Sequence, residues 1–178
     1  MLEYVVAENP DARVMRRAAS VLQDGGLVVV PTDTSWSVLC SIASKGGIAA
    51  LKRLIEPGRE RPLTAMCSSI AQASELCDVS SAAFRVMKRL TPGPYVFILP
   101  STNRSMRSLD LRRAELGVRI PRHRVPVDLI VALGCEAMLT TSKQDLPLTP
   151  AMKSRIECEG EQLLVQQSDI YLEIENHL

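Results

Sequence analysis

The sequence predicts an α/β fold on three observations. Short β-branched apolar runs alternate along the chain with segments whose apolar residues recur at three- and four-residue spacing, which separates strands from helices. The strand-like runs at 27–30, 95–99 and 117–120 each stop at a proline, Pro31, Pro100 or Pro121, which cannot donate to a sheet ladder. No internal repeat or low-complexity linker interrupts this alternation, so one domain over 1–178 is expected.

The elements follow in order. Asn9-Pro10, then Val14, Ala18, Val21 and Leu22 in helical spacing, then Gly25-Gly26 form a capped helix with a glycine stop. A buried strand at 27–30 runs into Pro31 and the polar cluster Thr32, Asp33 and Thr34; a second strand is predicted around 38–42. Residues 45–55 read as a helix, 56–61 as a charged loop turning at Pro57-Gly58, and 63–67 as a strand. Helices over 70–77 and 80–90 follow, the latter broken by Thr91-Pro92-Gly93-Pro94. After the strands at 95–99 and 117–120, separated by a polar and basic stretch, come a helix over 127–133 and a strand over 137–141. That strand opens onto Ser142-Lys143-Gln144. A weaker helical pattern over 150–167 and a strand over 170–174 close the chain.

Composition narrows the function classes. The 178 residues are 46% hydrophobic, 23% charged and only 3% aromatic, which describes a soluble protein with an aliphatic, sulfur-rich core. The 5 cysteines, Cys40, Cys67, Cys77, Cys135 and Cys158, form no Cys-x-x-Cys pair and show no ligand-like spacing to His123 or His177. Neither a disulfide scaffold nor a structural metal is expected. The first residues carry Glu3 and Glu8 and no apolar run long enough for a signal peptide or membrane span, so a reducing cytoplasm and no membrane partner are expected. The net charge of +1 supplies no global field toward nucleic acid. Basic residues nevertheless crowd 52–61 and 104–124; alone, such runs read as solvated surface loops.

The polar strand end is the first candidate site. Pro31 followed by Thr32, Asp33 and Thr34 presents hydroxyls and a carboxylate where ligands are commonly held. The same residues also suit a cap or turn, and on this stretch alone the two readings stand level. Thr140, Thr141 and Ser142 repeat the device, and if the two ends meet on one side of the sheet they line one cavity.

Four segments in order resemble the YrdC/YciO family: PTDTSWSVLC (31–40), TPGPYVFIL (91–99), GVRIPRH (117–123) and LTTSKQ (139–144). The resemblance covers residues 10–145 and is nearest to the YciO branch. It implies a twisted mixed sheet with flanking helices around a concave basic cavity. It also implies relation to a nucleotidyltransferase activity, L-threonylcarbamoyl-adenylate synthesis from threonine, bicarbonate and ATP with Mg²⁺, for tRNA modification. The alternative it implies is a YciO-like module that binds double-stranded RNA or a nucleotide without that reaction. By carry-over, Thr32, Thr34, Trp36, Arg119 and Thr141 would bind substrate, Arg119 pairing with the amino-acid carboxylate. Arg59, Arg61, Ser142, Lys143 and Gln144 would meet the nucleotide phosphates. No residue resembles a nucleophile or general base.

The chain departs from the family's synthases where phosphate charge must be neutralised. Their Lys-x-Arg pair falls on Ile55 and Pro57 here, with Arg59 and Arg61 a few residues late. Their Ser-x-Asn loop is Ser142-Lys143-Gln144, their tyrosine-glycine pair is Trp36-Ser37, and Val96 stands where a threonine is usual.

Overall fold

The computed structural model describes residues 3, 5–54, 63–109, 114–134, 137–141 and 170–173. Its elements in chain order are α1 (Ala12–Gln23), β1 (Val28–Pro31), β2 (Trp36–Ser41), α2 (Lys45–Arg53), β3 (Thr64–Met66), α3 (Ile70–Leu76), α4 (Ser81–Leu90), β4 (Tyr95–Pro100), α5 (Asn103–Ser108), β5 (Glu115–Arg119), α6 (Arg124–Ala132), β6 (Met138–Thr141) and β7 (Ile170–Glu173). The strands form one mixed sheet in the order β1-β2-β6-β3-β5-β4-β7. β3 with β5 and β4 with β7 run parallel, and the other pairs antiparallel. The predicted α/β class and mixed sheet are what the chain adopts.

Side-chain caps account for where the helices start. Asp11, Ser44, Ser69, Ser80 and Thr102 each accept a backbone N–H from the first turn that has no helical partner of its own. The first cap is Asp11 rather than Asn9, because the Asp11 carboxylate reaches the Arg13 N–H at 2.7 Å. Pro10 therefore precedes the helix instead of opening it. Gly25, at φ +84°, ends α1 in a conformation that a side chain would strain.

Two further boundaries differ from expectation. The helix predicted over 127–133 begins at Arg124, capped by His123, and Pro126 lies within its first turn, where a missing N–H costs nothing. Part of the basic stretch after β4 is the short helix α5, with Ser105 and Leu109 buried. The helical pattern at 150–167 lies outside the described residues.

Strand alternation divides the core in two. On the first face Val38, Cys40, Ala65, Phe97, Leu99, Leu116, Val118 and Leu139 pack with Ile48 and Leu51 of α2, Ala73 of α3, and Ala83 and Met87 of α4. On the second, Val30, Leu39, Met66 and Met138 lie under Met15, Ala19 and Leu22 of α1 and Val125, Leu129 and Ile130 of α6. Cys40, Cys67 and Cys77 belong to the first core, where burial pushes Cys40 up to about 11 and Cys67 and Cys77 up to about 12. Such thiols stay protonated and are poor nucleophiles or metal ligands. Among the described residues, no helix is long and apolar enough to cross a membrane.

Candidate functional site

Ser37, Ser41, Thr64, Arg119 and Thr140 are buried polar residues of the strands, and register places all five on the second face. Thr64 stands directly opposite Thr140 and beside Gly117, while Met66 stands beside Arg119. Polar groups buried in a sheet are costly unless paired, so their segregation to one face marks it as more than packing.

Arg119 is the centre of this group. Its Nη2 donates to Asp33 Oδ1 at 2.8 Å and to Thr34 Oγ1 at 2.7 Å. The two side chains of the ion pair are 5% and 12% exposed, so the pair is held out of bulk water. β1 and β5 are separated by β2, β6 and β3 in the sheet, roughly 19 Å if it were flat at about 4.8 Å per strand. Contact at hydrogen-bonding distance therefore requires the β1–β2 turn to lean across the face toward the end of β5.

The turn is built to hold that pose. Thr32 N–H donates to Ser35 O at 2.9 Å, and Thr32 Oγ1 donates to the same oxygen at 2.6 Å. Thr32 Oγ1 also accepts from the N–H groups of Thr34 and Ser35 at 3.3 and 3.2 Å. The Thr32 hydroxyl thus works inside the turn and is 1% exposed. Thr34 is the hydroxyl that reaches Arg119.

Asp33, absent from the residues expected by resemblance, is the link between loops. Its Oδ2 accepts from the Arg122 main-chain N–H at 3.0 Å, and Arg122 Nε donates to Pro92 O at 3.2 Å. Gly93 N–H donates to Ile120 O at 2.9 Å. Three of the four segments singled out in the sequence are therefore laced together by hydrogen bonds. A Cβ on Gly93 would lie 2.7 Å from Leu90 O, which is why glycine turns this loop.

Gly117 opens the floor of the face. A Cβ there would lie 2.8 Å from Thr64 Oγ1 and 3.2 Å from Val96 Cγ1. His123 caps α6 by accepting the Val125 N–H at Nδ1, 3.3 Å away, so its neutral form carries the proton on Nε2. Burial lowers its pKa, against the raising influence of Asp33 and Glu8.

Trp36 and Thr141, also expected at the site, take strand positions away from Arg119. Trp36 shares alternation with Val38 and Cys40, on the face opposite Arg119, and pairs in register with Pro31. Thr141 ends β6 opposite Val38. Arg59, Arg61, Ser142, Lys143 and Gln144 lie outside the described residues. Among the described residues, no group of three His, Cys, Asp or Glu side chains could hold a metal ion. Asp33 carried one sequence signal, a carboxylate between two site threonines; Gly117 and Thr64 carried none.

The Sua5/YciO/YrdC family model, described as "Telomere recombination", matches residues 20–176. The chain is 34% identical over 140 residues to the uncharacterized protein YciO of Escherichia coli K12, covering 78% of this chain and 68% of that protein. The crystal structure of E. coli YciO superimposes with a TM-score of 0.74 at 31% identity, covering 96% of this chain and 83% of that one. A threonylcarbamoyl-AMP synthase of Xanthomonas axonopodis is 30% identical over 151 residues, 82% of this chain and 78% of the synthase. Pyrococcus abyssi Sua5 complexed with L-threonine shares the fold at a TM-score of 0.72 and 22% identity, over 80% of this chain and 42% of that one. With its family model matched over most of its length and its fold shared with YciO, the chain belongs to the Sua5/YciO/YrdC family.

Proposed function

We propose that the chain binds an α-amino acid, threonine, and a nucleotide on the second face of the sheet, in chemistry related to L-threonylcarbamoyl-adenylate formation for tRNA modification. The observation that carries this reading is the buried Arg119 with the Thr34 hydroxyl against its Nη2, at the junction of three loops. A guanidinium presents paired donors in a plane that matches a carboxylate, and burial strengthens that recognition. The synthase relatives and the threonine complex of a structural relative support the choice of ligand.

On this reading Arg119 and Thr34 bind the amino acid, with Thr32 holding the turn. Arg59, Arg61, Ser142, Lys143 and Gln144 take the phosphates of ATP, which brings Mg²⁺ with it. Adenylation of a bound carbamate needs no protein nucleophile, because positioning and charge stabilisation suffice. The setting is the cytoplasm.

A second reading is favoured by the displaced cations. Ile55 and Pro57 occupy the Lys-x-Arg positions of the synthases, and the sequence stands nearer to YciO than to the synthase. In this reading the chain is a nucleotide- or RNA-binding module, for double-stranded RNA or tRNA, that does not complete the reaction. Pyrophosphate release from ATP by pure protein with threonine and bicarbonate separates the two. Release that depends on both co-substrates supports the synthase. No release, with RNA retained at low salt and lost at high salt, supports the module.

A further inference from the structure

Asp33 and Arg119 make a pair of zero net charge at the junction of the three loops. Asp33 Oδ1 accepts from Arg119 Nη2 at 2.8 Å, and Oδ2 accepts from the Arg122 N–H at 3.0 Å. A carboxylate oxygen has two acceptor directions, so each of these oxygens retains capacity for a second donor. Asp33 is also the more exposed member of the pair, 12% against 5%.

A bare carboxylate that approached Arg119 would share the guanidinium with Asp33 and be repelled by it at short range. A ligand with an ammonium one carbon from its carboxylate escapes that penalty, because the ammonium meets Asp33 while the carboxylate meets Arg119. We infer that Asp33 is a specificity-determining residue: it accepts the ligand's ammonium and makes the site select zwitterionic α-amino acids over carboxylates that lack the amino group. The inference rests on the amino-acid reading of the site. It assigns a ligand-facing task to a residue that would otherwise be only the structural partner of Arg119.

The test is calorimetric titration of the full chain with L-threonine and with the 2,3-dihydroxybutanoate of matching configuration, in which a hydroxyl replaces the ammonium. The wild type is expected to prefer threonine by about tenfold or more, the size of a charge-assisted hydrogen bond. Asp33→Asn keeps an acceptor oxygen for Arg119 and is expected to bring the preference down to about threefold or less, with Asp33→Glu restoring part of it. Should Asp33→Asn not fold, the Asp33→Asn/Arg119→Gln double variant removes both charges together, and its ratio is expected to fall against that of Arg119→Gln alone. A preference that survives the loss of the Asp33 charge overturns the inference. So does an equal loss of affinity for both compounds, which would make Asp33 a positioning residue for Arg119. If the wild type binds no threonine, the amino-acid reading of the site is what fails.

Discussion

The two faces of the sheet are made by the same strands and covered by helices on both sides, yet among the described strand residues the buried polar side chains all lie on one. β5 shows the contrast within five residues: Leu116 and Val118 enter the first core, while Gly117 and Arg119 alternate to the second face. β3 and β6 repeat it, with Ala65 and Leu139 on one side and Thr64 and Thr140 on the other. If packing were the only demand, both faces would be aliphatic, as expected for strands buried on both sides. The second face forgoes apolar burial at these positions, and natural proteins accept such losses where a site requires them.

The sharpest way to break the contrast is to remove its centre. Arg119→Met leaves Asp33 partly buried without its cation, which is expected to cost about 3–5 kcal/mol. Chemical denaturation measures it. Adding Asp33→Asn to that variant is expected to return part of the loss, because the uncompensated charge goes with it. Threonine affinity should be absent in both.

On the first face the expected effect is next in size and different in kind. Leu139→Ala in the fully buried centre of β6 deletes methyl groups that the surrounding core cannot fully replace, costing about 3 kcal/mol. Threonine affinity of the folded fraction should not change. A change in affinity would show that the two faces are coupled through β6.

A smaller change tests the floor of the second face. Gly117→Ala places a methyl 2.8 Å from Thr64 Oγ1 and 3.3 Å from Leu63 O, a backbone atom that cannot swing aside. Overpacking of this kind costs about 1–3 kcal/mol. It should also lower threonine affinity if the ligand lies over Gly117, and titration of the stable variant reads that directly.

How much of this was legible follows from how local each signal is. Strands at 95–99 and 117–120 and helices at 45–55 and 80–90 were readable, because periodicity, β-branching and caps act within a few residues. The sequence pattern starts α6 at 127 rather than at Arg124 because the opening turn contains Pro126, and a proline in a first turn is hard to tell from a breaker. α5 has no sequence signature because its six residues, five polar and one Met, carry too little apolar pattern. At the site, Arg119 stood out as a charge in an apolar strand and Thr34 as a hydroxyl at a strand end. Their joining through Asp33 spans 86 residues, and no local pattern encodes a contact of that separation. The opposite placement of Trp36 follows from the register at Pro31, which depends on the turn that Thr32 builds.

His123 joins the two regions, since it caps the helix that covers the apolar part of the second face and lies near Asp33 in the polar part. Its Nδ1 accepts the Val125 N–H, which only the unprotonated nitrogen can do. Burial lowers its pKa below the ordinary 6.5, and Asp33 and Glu8 oppose that shift without reversing it. A group with a lowered folded-state pKa binds protons more readily in the unfolded chain. Its contribution is therefore complete above pH 6.5 and is lost as pH falls through the lower folded-state value. Loss of the cap bond accompanies that protonation, because the imidazolium has no acceptor left at Nδ1. His123→Ala should cost about 1 kcal/mol at neutral pH, and His123→Asn, which restores an acceptor at the cap, less than half of that. Denaturation midpoints measured from pH 8 down to pH 5 should fall more steeply for the wild type than for His123→Asn. Equal slopes would mean that the His123 imidazole does not couple its proton to folding.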